Sequence, residues 1–143
     1  MKLKHLMALT IAALGAQAAF AGSHTTTYPV KPVLDAQPAD SKVAFYFGDT
    51  PHAAVSAPLG EKTEGIRIAR KTDDETAACN QALTQALDAL RKDALDSGAN
   101  AVIDIETSFH QMHSASATEF TCATSLSAAA LKVHGQLVKL EAK

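Results

Sequence analysis

The chain has 143 residues, 47% hydrophobic and 20% charged, with a formal net charge of −2. That is an ordinary globular balance for which one domain is the default, and its mildly acidic charge is a poor match for a nucleic-acid backbone. With no tryptophan and 5% aromatic residues, a base-stacking platform is also excluded as a working idea.

The first 21 residues, "MKLKHLMALTIAALGAQAAFA", open with Lys2, Lys4 and His5, continue with a mostly apolar run from Leu6 to Leu14, and end in small residues. Ala19-Phe20-Ala21 fits the A-x-A pattern of a secretory signal, so cleavage is expected after Ala21, with Ala16-Gln17-Ala18 as a weaker competing site. The apolar run is shorter than the roughly 20 residues a membrane span needs, and nothing after residue 22 resembles a transmembrane segment. Removing the signal takes away two lysines and no acid, so the mature chain is more acidic still. A periplasmic or secreted location follows. Residues 22–41, rich in Thr, Pro, Ala and polar residues without a sustained period, read as a flexible N-terminal tether with a short extended piece near Tyr28 to Leu34.

The single folded domain is expected over 42–143. "KVAFYFGDTP" is its first strand, with Val43, Phe45 and Phe47 on one face and Gly48 to Pro51 ending it. "HAAVSAPLGEKT" reads as a loop, and "EGIRIARK" as a half-buried strand with Ile66 and Ile68 on one face and Arg67 and Ala69 on the other. The strongest element follows: "DDETAACNQALTQALDALRKDALDSGAN" predicts an amphipathic helix of about six turns. Asp73 or Asp74 is its N-cap, Glu75 adds acid to the first turn and Gly98 closes it. Its apolar stripe runs through positions 79, 83, 86, 87, 90 and 94.

"AVIDIETSF" is the next strand, with Ala101, Ile103 and Ile105 inward and Asp104 and Glu106 outward. "HQMHSASA" is a polar connector. "TEFTCATSLSAAALKVHGQLVKL" is a long final β segment, with Phe120, Cys122, Thr124 and Leu126 sharing a face and Gly135 allowing a bend or bulge. The order β-β-α-β-β predicts an α+β fold: a small antiparallel-rich sheet packed on one long helix.

Cys79 lies on the apolar stripe of that helix, and Cys122 on the strand face that carries Phe120, so both point toward one helix–sheet interface. In an exported chain two cysteines read as a disulfide. Two other uses stay open at this stage. Cys79 near a helix N-terminus has the setting of a low-pKa thiol, and two cysteines with His110 and His113 have the composition of a zinc site.

Other constellations are weaker. "PLGEKTEG" has the Gly-x-Lys-Thr ending of a phosphate loop, but it lacks the upstream glycine and leads into a strand. His110, Met112 and His113 form the only local histidine cluster and the candidate site for a soft metal such as copper. Four serines near His113 and His134 lack a nucleophile-elbow motif. No catalytic constellation and no cofactor are indicated.

Taken together, "RKTDDETAACNQALTQALDALRKDALDSGANAVIDIETSFHQM…FTCATSLSAAALKVHGQLVKL" resembles exported relatives of the RcsF-type envelope stress sensor and of the YbjQ-like, so-called heavy-metal-binding domains. The resemblance covers about residues 43 to 140 and rests on the Ala/Leu helix, the "GANAV" run from Gly98 to Val102, and the late Cys122, Ala130 and Gly135. It implies a small sheet on a helix, tied by disulfides, with Cys79 and Cys122 in the position of one such bridge. The second bridge and the lipid-anchoring cysteine of that family have no counterpart here. Similar sequences carry the label "excinuclease ATPase subunit", which the incomplete phosphate loop and the export signal do not support. The resemblance implies a non-enzymatic module that binds a protein or envelope component, and YbjQ-like rings add the option of a homo-oligomer. The alternative is a periplasmic metal-binding protein using His110, Met112 and His113.

Overall fold

The computed structural model describes residues 23–142. The expected signal segment, with Ala19 and Ala21, lies outside them. The described residues form β1 (His24–Pro29), α1 (Lys31–Asp35), β2 (Ala44–Phe47), β3 (Val55–Ala69), α2 (Glu75–Asp96), β4 (Ala101–Phe109), β5 (Met112–Ser114), β6 (Glu119–Thr124) and β7 (Ala128–Leu140). The fold is α+β, as the sequence predicts, but strands predominate and the sheet is mixed. Its path runs β1-β6-β7-β4-β2, with β3 joined to β7 and β5 to β4. The β2–β4 pair is parallel because β3 and α2 intervene as a crossover; the other pairs are antiparallel.

Helix α2 forms where the pattern places it. Asp74 accepts a hydrogen bond from the Ala77 amide at 3.1 Å, satisfying one of the helix's free N-terminal donors. Gly98, at φ +78°, turns the chain out beyond the C-cap Ser97, a conformation that favours glycine. Ala78, Cys79, Ala82, Leu83, Ala86, Leu87, Leu90 and Ala94 are buried. They pack on the sheet face that presents Ile68, Val102, Ile105, Phe120, Cys122, Leu131, Val133 and Leu137. Small alanines on the helix let it approach closely; the leucines fill the space between strands.

Several expectations are corrected. Within residues 22–41, read as a flexible tether with a short extended piece near Tyr28 to Leu34, the chain instead supplies β1 and α1. β1 pairs along its length with β6, and Tyr28, Val30 and Val33 enter the main core. Their burial skips over Pro29, Lys31 and Pro32, so no single period exposes it in the sequence. Arg91 fastens the same segment to α2. Its guanidinium donates to Gln37 Oε1 and Ser41 Oγ and lies 5.2 Å from the centre of the Phe45 ring.

The stretch read as a loop before Ile66 is the first half of β3. It is an edge strand, and its backbone breaks register at Val55/Ala57 and again at Pro58/Glu61. Those bulges accommodate Pro58 and Gly60, and the surrounding charges protect an open edge from further pairing. The phosphate-loop-like Lys62 and Thr63 therefore sit in an extended ladder opposite Gly135 and His134.

β4 also departs from the expected phase. Asp104 has φ +51°, a left-handed conformation that aspartate tolerates better than most residues. The register skips between Ile103 and Glu106. Val102 and Ile105 consequently face the helix, whereas Ala101 and Ile103 turn to the opposite face and pack with Val138 and Leu140. The connector after Phe109 contains β5, which pairs back onto β4. The final β segment is broken by a turn at Ser125–Ser127, and Leu126, expected on the core face, is 88% exposed there.

Gly135 is required by packing. A Cβ there would lie 2.4 Å from Val102 Cγ1 and 3.3 Å from Ile105 Cγ1, inside the helix-facing core. The bend-permitting role expected for this glycine thus becomes a close approach between β7 and β4.

Candidate functional site

The chemistry-bearing residues divide between the two faces of the sheet. On the helix side, Cys79 and Cys122 are joined as a disulfide with Cα atoms 6.0 Å apart, both fully buried. No described cysteine is free, so the reactive-thiol and zinc-thiolate alternatives fall away.

The hinge between β3 and α2 is held by one arginine. Arg70 donates from Nε to the Thr72 carbonyl at 2.7 Å, from Nη2 to Asp73 at 2.5 Å and from Nη1 to Ser125 at 2.8 Å. It thereby ties the start of α2 to the β6–β7 turn with charge-assisted bonds. Burial, and the Glu75 carboxylate nearby, push the Tyr28 hydroxyl above the usual phenol range. A hydrogen bond to the Asp93 carboxyl raises the Glu64 carboxyl above its usual value, with burial and the like charge adding to it. Asp93 Oδ2 is buried without another hydrogen-bond partner, so a proton held on Glu64 is favoured there.

The opposite face carries no helix. Its lower end is closed by Ala101, Ile103, Val138 and Leu140 under Tyr46 and Ala53. Across the middle runs a polar row. Thr63 Oγ1 and His134 Nδ1 are hydrogen-bonded at 2.8 Å, Glu61 lies 3.7 Å from His134 Nε2, and Glu106 pairs with His113 Nε2 at 2.9 Å. His134 and Glu106 are direct cross-strand neighbours. Ser108 is opposite His113, yet no hydrogen bond joins the two, so serine, histidine and carboxylate are not linked as a relay.

The three candidate metal ligands are not brought together as a set. His110 sits in the β4–β5 turn at φ +52° with its ring 4.2 Å from that of Phe109. Met112 is 43% exposed, and His113 is engaged by Glu106. Among the described residues, no group of three or more His, Cys, Asp or Glu side chains is placed to hold a metal ion.

The upper end of the open face is a groove. One cavity of about 370 Å³ is bordered by Gly65, Arg67, Ser108, Phe109, Ala130 and Lys132. A second, of about 500 Å³, shares Arg67, Phe109, His110 and Ala130 with it and extends to Ala123, Leu126 and Ala128. Register places Arg67 opposite Ala130, and Lys132 opposite both Gly65 and Ser108. Arg67 and Lys132 are therefore diagonal neighbours, about 7–8 Å apart at the backbone. Neither side chain has a hydrogen-bond or ion-pair partner among the described residues. On this face Glu61 and Glu106 are engaged by His134 and His113.

The alternation in "EGIRIARK" puts Arg67 on the face opposite Ile66 and Ile68, but nothing local links it with Lys132. The usable signal was the alternation of Leu131, Lys132 and Val133, obscured by the preceding alanine run, which is buried on both faces.

Comparison with known proteins returns no matching family model, no matching curated protein and no matching solved structure. No helix among the described residues is long and apolar enough to cross a membrane.

Proposed function

We propose that this protein is an exported, non-enzymatic binding module whose disulfide-stapled helix–sheet core presents the helix-free sheet face to a protein or another component of the cell envelope. The observation that carries the reading is the division of labour between the two faces. One is sealed by α2 and the buried Cys79–Cys122 bridge. The other is open and holds a groove with two uncompensated cations. A disulfide suits an oxidising compartment, which agrees with the export signal expected at residues 1–21.

The RcsF-type and YbjQ-like kinship belongs to the same proposal. A helix on a small sheet with a helix-to-sheet disulfide supports it, as does the order of elements from β2 to β7. The unlinked Ser108 and His113 support a binding role over a hydrolytic one.

The reading is tested by photocrosslinking in the producing cell. A photoreactive residue at Leu126, on the rim of the open face, should give a discrete adduct with an envelope component. The same residue at Gln85, exposed on the outer side of α2, should give none. Adducts from Gln85 alone would refute it, as would turnover of an ester or nucleotide by the purified protein.

A further inference from the structure

We propose that the groove around Arg67 and Lys132 is a binding site for a small amphipathic anion: one oxyanion head, carboxylate or phosphate, on an apolar body. This deepens the reading of the helix-free face as the binding surface and rests on it.

Three observations converge. The first is charge. Arg67 and Lys132 are diagonal neighbours across β3 and β7 with no carboxylate to neutralise them, so an oxyanion between them removes a like-charge repulsion as well as gaining two charge-assisted contacts. Ser108, directly opposite Lys132 on β4, adds a hydroxyl donor at the same edge.

The second is shape. Gly65, Ala123, Ala128 and Ala130 lie along the groove, and the alanines are at most 7% exposed. Small side chains between taller Arg67, Phe109 and Lys132 leave depth for a ligand body. The Lys132 stem passes 3.8 Å from where a Cβ on Gly65 would stand, so it lies beside the space that this glycine leaves open.

The third is an apolar residue with nothing to cover it. Leu126 borders the second cavity and is 88% exposed on the β6–β7 turn. Covering this side chain with the apolar body of a ligand removes it from water, which is favourable. Arg67, Phe109, His110 and Ala130 line both cavities, so the two are continuous and Phe109 offers an aromatic ring at their junction. A ligand with its head at Arg67 and Lys132 and its body along Phe109 toward Leu126 satisfies all three features at once.

The experiment is an amide chemical-shift titration of the mature protein with 3-phenylpropionate, with phenyl phosphate and with the neutral 3-phenylpropanamide. Saturable shifts at Gly65, Ser108 and Ala130 are expected with at least one anion, and weak, non-saturating ones with the amide. The tighter of the two anions identifies the head group. The Arg67→Ala/Lys132→Ala double variant, altered only at exposed positions, should fold normally and bind about tenfold or more weakly, a loss of about 1.4 kcal/mol or more. Leu126→Ser should weaken the phenyl ligands while leaving the fold unchanged. Equal response to the neutral amide, or unaltered binding by the double variant, overturns the inference, as does the absence of saturable shifts with both anions. If anion binding fails while crosslinking from Leu126 persists, only this inference falls. If crosslinking comes solely from the α2 face, the broader reading falls with it.

Discussion

Cys79, in the second turn of α2, is bonded to Cys122 at the middle of β6, and both sulfurs are sealed from solvent. The bridge spans 43 positions of sequence and fastens the helix to a strand that otherwise touches β7 through only two register pairs, Ala123↔Ala130 and Thr124↔Ala129. A bridge over a loop of that length stabilises by about 4 kcal/mol in the chain-entropy model. The Cys79→Ala/Cys122→Ala variant should lose about that much in urea unfolding. Thiol titration of the unfolded, unreduced wild type should find no free sulfhydryl.

Gly135 on β7 and Gly65 on its edge-strand neighbour β3 should respond oppositely to alanine. Gly135→Ala drives a methyl into Val102 and Ile105, and overpacking of this kind costs about 1–3 kcal/mol. At Gly65 the nearest atom to an added Cβ is Lys132 Cγ at 3.8 Å, an ordinary contact, so its alanine variant should be near neutral. Thermal unfolding of the two variants side by side measures the contrast.

Arg70 should behave as a clasp. Removing it leaves the Ser125 carbonyl without its guanidinium and frees the β6–β7 turn, so Arg70→Ala should cost about 1.5–3 kcal/mol for the charged hydrogen bonds lost. Hydrogen exchange should accelerate at Ser125 to Ala128 more than in the middle of α2. Equal acceleration throughout would contradict the clasp.

The Glu64–Asp93 pair sets a pH dependence with a definite sign. The folded state holds the Glu64 proton more tightly than the unfolded chain does, so its contribution is fully present below the unfolded carboxyl pKa. It is lost as pH rises through the raised folded value. Glu64→Gln keeps a donor for Asp93 at every pH. Across the window from about pH 4 upward, the urea midpoint of this variant should fall less with pH than that of the wild type. Parallel profiles would show that the two carboxyls do not share a proton.

Much of the helix side is written in local pattern. Positions 79, 83, 86, 87, 90 and 94 repeat at helical spacing and all are buried; Asp74 and Gly98 punctuate the ends where capping chemistry demands. Cys122 follows from the two-residue alternation with Phe120. The remainder depends on non-local facts. Tyr28, Val30 and Val33 are buried only because β6 offers β1 an edge to join. The first half of β3 resembles a loop because an edge strand is selected for charges, proline and bulges. Ile103 and Ile105 face opposite sides of the sheet because a single left-handed residue, Asp104, resets the phase between them. Arg67 and Lys132 meet only through the β3–β7 register, which neither segment states alone.

The most direct test of the account is the comparison of crosslinks from Leu126 and Gln85 in wild type and in the Arg67→Ala/Lys132→Ala background. A discrete adduct from Leu126, absent from Gln85 and lost with the two cations, is the predicted result. Adducts from Gln85 only would contradict it; a Leu126 adduct indifferent to Arg67 and Lys132 would keep the open face as the binding surface and contradict the part assigned to the two cations.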